Sequence, residues 1–238
     1  MPVDLATLLA SMIPVALLAG LIGLDVVSFP QAMFSRPIVA ATLGGALAGS
    51  PEAGLVCGAA LECLALESLP VGASRYPEWG SSSVVAGTVA TVGTTQDGLP
   101  ATGAFAVAVV VGVLFAWIGG WTMVKHRQLI ARVARPRLDQ LAAGSRNTVV
   151  GLQVFGMTAD LARGALLGAT AFLIGVPVAE AVHANWSLPE NVSRAVVITC
   201  VAGVAAAAVW KDFHAISGTR RLFLAALAVG TALVVWGA

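Results

Sequence analysis

The N-terminal part of the chain places Asp25, Gln31, Arg36, Glu62, Glu67, Arg75 and Glu78 in or beside apolar stretches, with Tyr76 and Trp79 close in sequence. A charged group at the centre of a membrane helix costs about 2.5–3.5 kcal/mol on insertion scales, so its retention points to function. Carboxylates, amides and guanidinium groups hydrogen-bond vicinal hydroxyls, and aromatic faces cover the apolar side of a sugar ring. This mixture suits a polyol better than a lipid or a metal ion.

Glu62 is the strongest single candidate, because it sits mid-segment in Gly58-Ala-Ala-Leu-Glu62-Cys-Leu-Ala-Leu-Glu67 with apolar neighbours on both sides. Glu67 follows about 140° further around a helix, so a continuous helix does not present both on one face. Each candidate also has a structural reading. Glu62 can form a fold-fixing ion pair with Arg36 or Arg75, Arg36 stands directly before Pro37 at a helix start, and Asp25 can cap a helix that follows the turn near Pro30.

Other chemistries lack their residues. The histidines His126, His183 and His214 are far apart and form no metal spacing, and Cys57, Cys63 and Cys200 lie in apolar stretches without a CxxC pattern. No Walker-type glycine loop, G-x-S-x-G or HExxH is present. No metal or cofactor is therefore expected, and transport would draw its energy from outside this chain.

The elements that must hold these residues follow from composition. Of 238 residues, 58% are hydrophobic and 11% charged, and mean hydropathy is +0.90, against roughly 25% charged in soluble domains. The expected fold is an all-α integral membrane protein, a multi-helix bundle with broken or re-entrant helices in its N-terminal half. A separate soluble catalytic domain has little room. Residues 5–24 are long enough to span, and no Lys or Arg precedes Arg36, so the basic leader of a secretory signal is missing and this run reads as a retained membrane segment. The runs at 38–49, 53–71 and 83–94 are interrupted by prolines, glycines and ionisable residues. Twelve helical residues reach only about 18 Å, short of a roughly 30 Å hydrocarbon core, so half-spanning helices are expected. Their free backbone groups must be buried in protein or line a polar cavity. The Gly45/Gly49 and Gly54/Gly58 spacings offer small faces for close helix packing.

Charge is distributed unevenly. Residues 1–124 carry Arg36 and Arg75 against seven carboxylates, whereas residues 125–146 carry Lys125, Arg127, Arg132, Arg135, Arg137 and Arg146 against Asp139 alone. By the positive-inside rule the second block is a cytoplasmic loop. It lacks interleaved aromatics and lies between apolar runs, so no nucleic-acid role is expected. Three regions result: residues 1–124 with the broken helices and the sugar site, a basic cytoplasmic loop at 125–146, and C-terminal membrane helices at 147–238. Spanning helices are expected at 101–124, with Trp117 and Trp121 as interfacial anchors, and at 159–182, 194–210 and 222–236.

The blocks Gly23-Leu-Asp25, Ser35-Arg36-Pro37-Ile-Val-Ala-Ala-Thr-Leu-Gly44, Gly54-Leu-Val-Cys-Gly58-Ala-Ala-Leu-Glu62 and Pro70-Val-Gly72-Ala together resemble the IIC membrane subunit of the mannose/fructose/sorbose class of bacterial phosphotransferase systems. The resemblance covers residues 20–95 in motif detail. It implies a sugar-translocating permease subunit of the bacterial inner membrane, multi-pass and oligomeric, working with a IID membrane subunit and soluble IIA and IIB phosphocarriers. The chain itself is then not an enzyme, since phosphoryl transfer falls to those carriers. The resemblance carries Asp25, Arg36 and Glu62 over as sugar-site positions, with Glu62 the best matched. Gln31 and the segment Ser74-Arg75-Tyr76-Pro77-Glu78-Trp79 depart from the mannose pattern, which leaves open whether the substrate is a hexose or an amino sugar. Two other classes compete: an ion-coupled secondary transporter with Asp25 and Glu62 as relay, and a scaffold or sensor of the same fold that moves nothing.

Overall fold

A computed structural model describes residues 5–66, 75–213 and 216–237. Among these the chain forms α1 (Leu5–Asp25), α2 (Pro37–Leu47), α3 (Pro51–Ala65), α4 (Trp79–Val89), α5 (Thr102–Ala134), a 3-10 turn (Arg135–Arg137), α6 (Leu138–Ala142), α7 (Arg146–Ala184), α8 (Glu190–Phe213) and α9 (Thr219–Gly237). No strand occurs among the described residues. The membrane fold expected from composition is the one found.

Three helices in the N-terminal half are short. At 1.5 Å per residue α2, α3 and α4 reach about 16, 22 and 16 Å, so none crosses a bilayer core. The starts of α2 and α3 are set by Pro37 and Pro51, whose missing N–H is no loss in a first turn. Between them Gly49 takes φ +92°, and the Ser50 hydroxyl accepts from the Ala53 N–H at 3.4 Å. The two helices therefore fold back as a hairpin. Gly45, Gly54 and Gly58 serve the close packing that their spacing suggested, but Gly49 is the turn residue and meets no neighbour.

Helix α4 is enclosed, with every residue from Gly80 to Val89 buried, and it packs against α1, α2, α3, α5 and α7. Its approach to α2 is so close that a Cβ on Gly44 would stand 2.0 Å from the Val84 carbonyl oxygen. Its own Val84, Val85 and Val89 form the centre of the core with Leu61, Phe115 and Phe172.

Among the described residues three stretches are long and apolar enough to cross a membrane: Leu5–Asp25, Thr102–Ala142 and Arg146–Ala184. Two of these helices differ from their expected bounds. The basic segment 125–146 is not a loop, because α5 runs on to Ala134, a 3-10 turn and α6 follow, and α7 begins at Arg146. Its composition explains this, since Lys, Arg, Gln, Leu and Ala are strong helix formers with no glycine before Gly144. The run expected at 159–182 likewise extends to Arg146–Ala184 and continues through Pro177.

Candidate functional site

Two groups of charges lie where the half-helices end. The first joins α2 to α3. Arg36, the residue before α2, pairs through Nη2 with Glu62 Oε1, and the Ile38 N–H donates to Glu62 Oε2 at 3.3 Å. Glu62 therefore neutralises a cation and satisfies one of the free N–H groups in the first turn of α2. The pair is reachable, with side chains 37% and 20% exposed.

The second group is buried and was not assembled from the sequence. Glu78 caps α4 by accepting from the Ser81 N–H at 3.0 Å, and its side chain is fully buried. On α7, Asp160 accepts from Arg163 Nε at 2.8 Å and from the Ser28 hydroxyl at 2.9 Å. Arg163 also donates through Nη1 to Thr122 on α5 at 3.3 Å, and the same nitrogen stands 3.8 Å from Glu78 Oε2. One guanidinium thus ties α4, α5 and α7 together. The segment before α4 reaches it because α5 presents Gly119 and Gly120: a Cβ on Gly120 would stand 2.1 Å from the Tyr76 carbonyl, and the Glu78 N–H donates to Ala116 O at 2.8 Å.

This second group is incomplete. Glu78 Oε2, Trp79 Nε1, Ser83 Oγ and Arg163 Nη2 are buried with no hydrogen-bond partner. Buried polar atoms are nearly always paired, and a charged one left alone is costly. The set holds an acceptor, Glu78 Oε2, and the donors Trp79 Nε1 and Arg163 Nη2, with the Ser83 hydroxyl able to act as either. Hydroxyl groups both donate and accept, and so can satisfy groups of both kinds. The signal in the sequence was the Asp160/Arg163 spacing of three inside an apolar run, which places a cation and an anion on one helix face.

The remaining sequence candidates fall elsewhere. Asp25 is buried at the end of α1, where it accepts from the Ala32 N–H at 2.7 Å, the Ser35 N–H at 2.9 Å and the Ser35 hydroxyl at 2.9 Å. It braces the turn before α2. Gln31, exposed and at φ +59°, donates to the Val27 carbonyl at 3.0 Å within that turn. Arg75 lies over the Trp117 ring at 6.0 Å, and Glu67 lies outside the described residues. The turn connects the two groups, since Ser35 stands against Gly80 in the first turn of α4.

Among the described residues no three His, Cys, Asp or Glu side chains converge as a metal set. A cavity of about 470 Å³ between α3, α5 and α8 is lined by Val56, Ala59, Cys63, Phe105, Ile198 and Val201 among others. Its lining is almost wholly apolar, and no residue of either charge group is part of it.

Residues 9–207 match the sequence profile of a family described as the PTS system sorbose-specific IIC component. No curated protein matches the chain. Among solved structures, one described only as a membrane protein is similar over 99% of this chain and 93% of its own, with TM-score 0.63 and 21% identity. A cryo-EM structure of the mannose transporter ManYZ in complex with microcin E492 is similar over 98% of this chain and 88% of its own, with TM-score 0.56 and 17% identity. At these identities the likeness is one of fold.

Proposed function

The chain belongs to the sorbose-specific IIC family of the phosphotransferase system, membrane transport subunits rather than catalytic phosphocarriers, and from that premise we propose that it binds a hexose or amino sugar at the ends of its half-helices and presents it for phosphorylation by a IIB partner. The observation that carries the site is the unpartnered set on Glu78, Trp79, Ser83 and Arg163, which matches vicinal hydroxyls in both donors and acceptors. Glu62 and Arg36 form the reachable rim of the same region. Asp25 and Gln31 act by shaping the turn between the two charge groups, and Arg75 belongs to the approach.

The setting is the bacterial inner membrane with the basic end of α5 and α7 in the cytoplasm, as the positive-inside rule supports. A IID subunit is the membrane partner; the fold likeness to ManYZ supports an assembly of this kind, and soluble IIA and IIB carriers follow from the family. The sugar enters from the side opposite the basic end of α5 and α7, exchanges its water hydrogen bonds for those of Glu78 and Arg163, and is phosphorylated at the cytoplasmic face. A dianionic sugar phosphate does not re-cross, so the product is trapped without a general base from this chain.

A second reading has one observation in its favour: the buried group holds two carboxylates, Glu78 and Asp160, against the single guanidinium of Arg163. The spare negative charge suits a coupling cation or proton. Vesicles holding this chain and its IID partner, loaded with labelled hexoses and amino sugars, separate the two readings. Accumulation of sugar phosphate only with phosphoenolpyruvate and the soluble carriers is expected. Uptake of unmodified sugar that survives without carriers and collapses with an uncoupler would overturn the phosphotransferase reading.

A further inference from the structure

Beyond the buried charge group, α5 and α7 continue together out of the bundle. The Thr122–Arg163 contact marks where they leave it. From there α5 runs twelve more residues to Ala134, and α7 begins fourteen residues before Asp160. The two extensions lie side by side, since a Cβ on Gly156 would stand 3.6 Å from Ile130 Cδ1. Trp117 and Trp121, both half-exposed, carry Arg75 and Lys125 over their rings at 6.0 and 5.5 Å. Aromatic rings paired with long cations mark the membrane–water interface.

Measured along the helix from Trp121, Arg132 stands about 16 Å and Arg135 roughly 21 Å further out at 1.5 Å per residue. Attraction to anionic headgroups fades within a Debye length, about 8 Å at physiological salt. With the arm along the bilayer normal, the outer cations are beyond the reach of the lipid surface. Arg132, Arg135, Arg137 and Arg146 are exposed, and among the described residues no ion pair joins them to a carboxylate. Leu129, Leu138, Val149, Val150, Val154 and Phe155 are exposed among them. Apolar residues within a charged rim are the anatomy of a protein-binding surface rather than of a purely solvated arm.

We propose that this helical arm is the docking surface for a soluble, acidic, phosphoryl-bearing protein, an inference that rests on the group-translocation reading above. A donor that delivers a phosphoryl group to a membrane-held sugar must find the membrane face and orient on it. A cationic arm steers an anionic donor toward that face. The arm is also rooted in the site: its base is the turn of α5 and α7 that holds Thr122 and Arg163. A donor seated on the arm is held on the side of the bundle where α5 and α7 leave it.

The test uses the complete membrane complex in nanodiscs, titrated with the phosphorylated soluble carrier. Arg132→Glu/Arg135→Glu/Arg137→Glu should raise the carrier KM by about tenfold or more, remove most of its salt dependence and leave kcat at saturating carrier within about twofold. Direct binding of labelled sugar should not change. The neutral set Arg132→Gln/Arg135→Gln/Arg137→Gln should give the same effect at smaller size, which guards against misfolding by charge reversal. A carrier KM unmoved by both sets would overturn the proposal. So would a wild-type KM that rises equally when anionic lipids are replaced by neutral ones, which assigns the arm to headgroups, or separation of the membrane subunits on reversal, which assigns it to their interface. Should the wild type bind no sugar, the group-translocation reading fails instead. Carrier binding followed by fluorescence then still decides the docking.

Discussion

Arg36 and Arg163 each pair with a carboxylate inside the membrane region, yet their surroundings differ in kind. Arg36 and Glu62 join two short helices at a rim where both are partly open to solvent, and every oxygen of Glu62 is engaged. Arg163 and Asp160 lie in the interior, one guanidinium spans three helices, and it and Glu78 each keep an atom without a partner. A partly exposed pair contributes about 0–1 kcal/mol. Removing one member of a buried pair costs about 3–5 kcal/mol, because a charge is left uncompensated. The rim pair is thus complete and weak, the interior group strong and unfinished, and an unfinished polar group is where a ligand gains most.

Replacing the interior cation should have the largest effect. Arg163→Met leaves Glu78 and Asp160 buried without a counter-charge and should lower stability by about 3–5 kcal/mol. Loss of the assembled complex on gel filtration, or a large fall in its thermal midpoint, is the expected result. A variant as stable as wild type would remove Arg163 as the tie that holds α4, α5 and α7 together. Glu78→Gln comes next. The amide oxygen can still cap α4 through Ser81, so the fold should survive, but a charge-assisted hydrogen bond worth about 1.5–3 kcal/mol is lost to the ligand, roughly 10–100-fold in sugar affinity. Equilibrium binding of labelled sugar measures it, and an unchanged affinity would move the site away from α4.

What could be read from the sequence divides along the same line. The half-helices were visible because Pro37, Pro51 and the turn glycines cut the apolar runs to lengths that do not span. The Arg36–Glu62 pair is legible as one of two pairings open to Glu62, since both residues interrupt short apolar segments. The interior group was not visible as a group. Glu78 belongs to a connecting segment and Asp160 and Arg163 to a helix far along the chain, and only α4 lying within reach of α7 brings them together. Asp25 shows the converse case. Its acid group in an apolar setting invited a ligand role, but backbone N–H groups at Ala32 and Ser35 already use both oxygens. The basic block was read as a loop because charge reports the side of the membrane and is silent about whether a helix continues into water.

Asp25→Asn tests that brace and should cost about 1 kcal/mol, the net worth of one lost hydrogen bond, since the amide presents one acceptor where the carboxylate presented two. The effect should be seen as a lowered thermal midpoint with sugar affinity changed far less than in Glu78→Gln. A fall in affinity out of proportion to stability would place Asp25 at the ligand instead.

Glu62→Gln should have the smallest effect and divides the two regions most sharply. The amide oxygen can still accept from the Ile38 N–H, and the charge lost belonged to a partly exposed pair, so stability should fall by no more than about 1 kcal/mol. On the proposal that the rim contacts the sugar in passing and the interior holds it, affinity should weaken only a few-fold, by about 0.5–1.5 kcal/mol for one hydrogen bond. Uptake measured beside Glu78→Gln in the same vesicles gives the ranking directly. If Glu62→Gln proves the more damaging of the two while assembly stays intact, the sugar rests at the junction of α2 and α3, and the donors near α4, Trp79 Nε1 and Arg163 Nη2, need an acceptor such as water rather than the substrate.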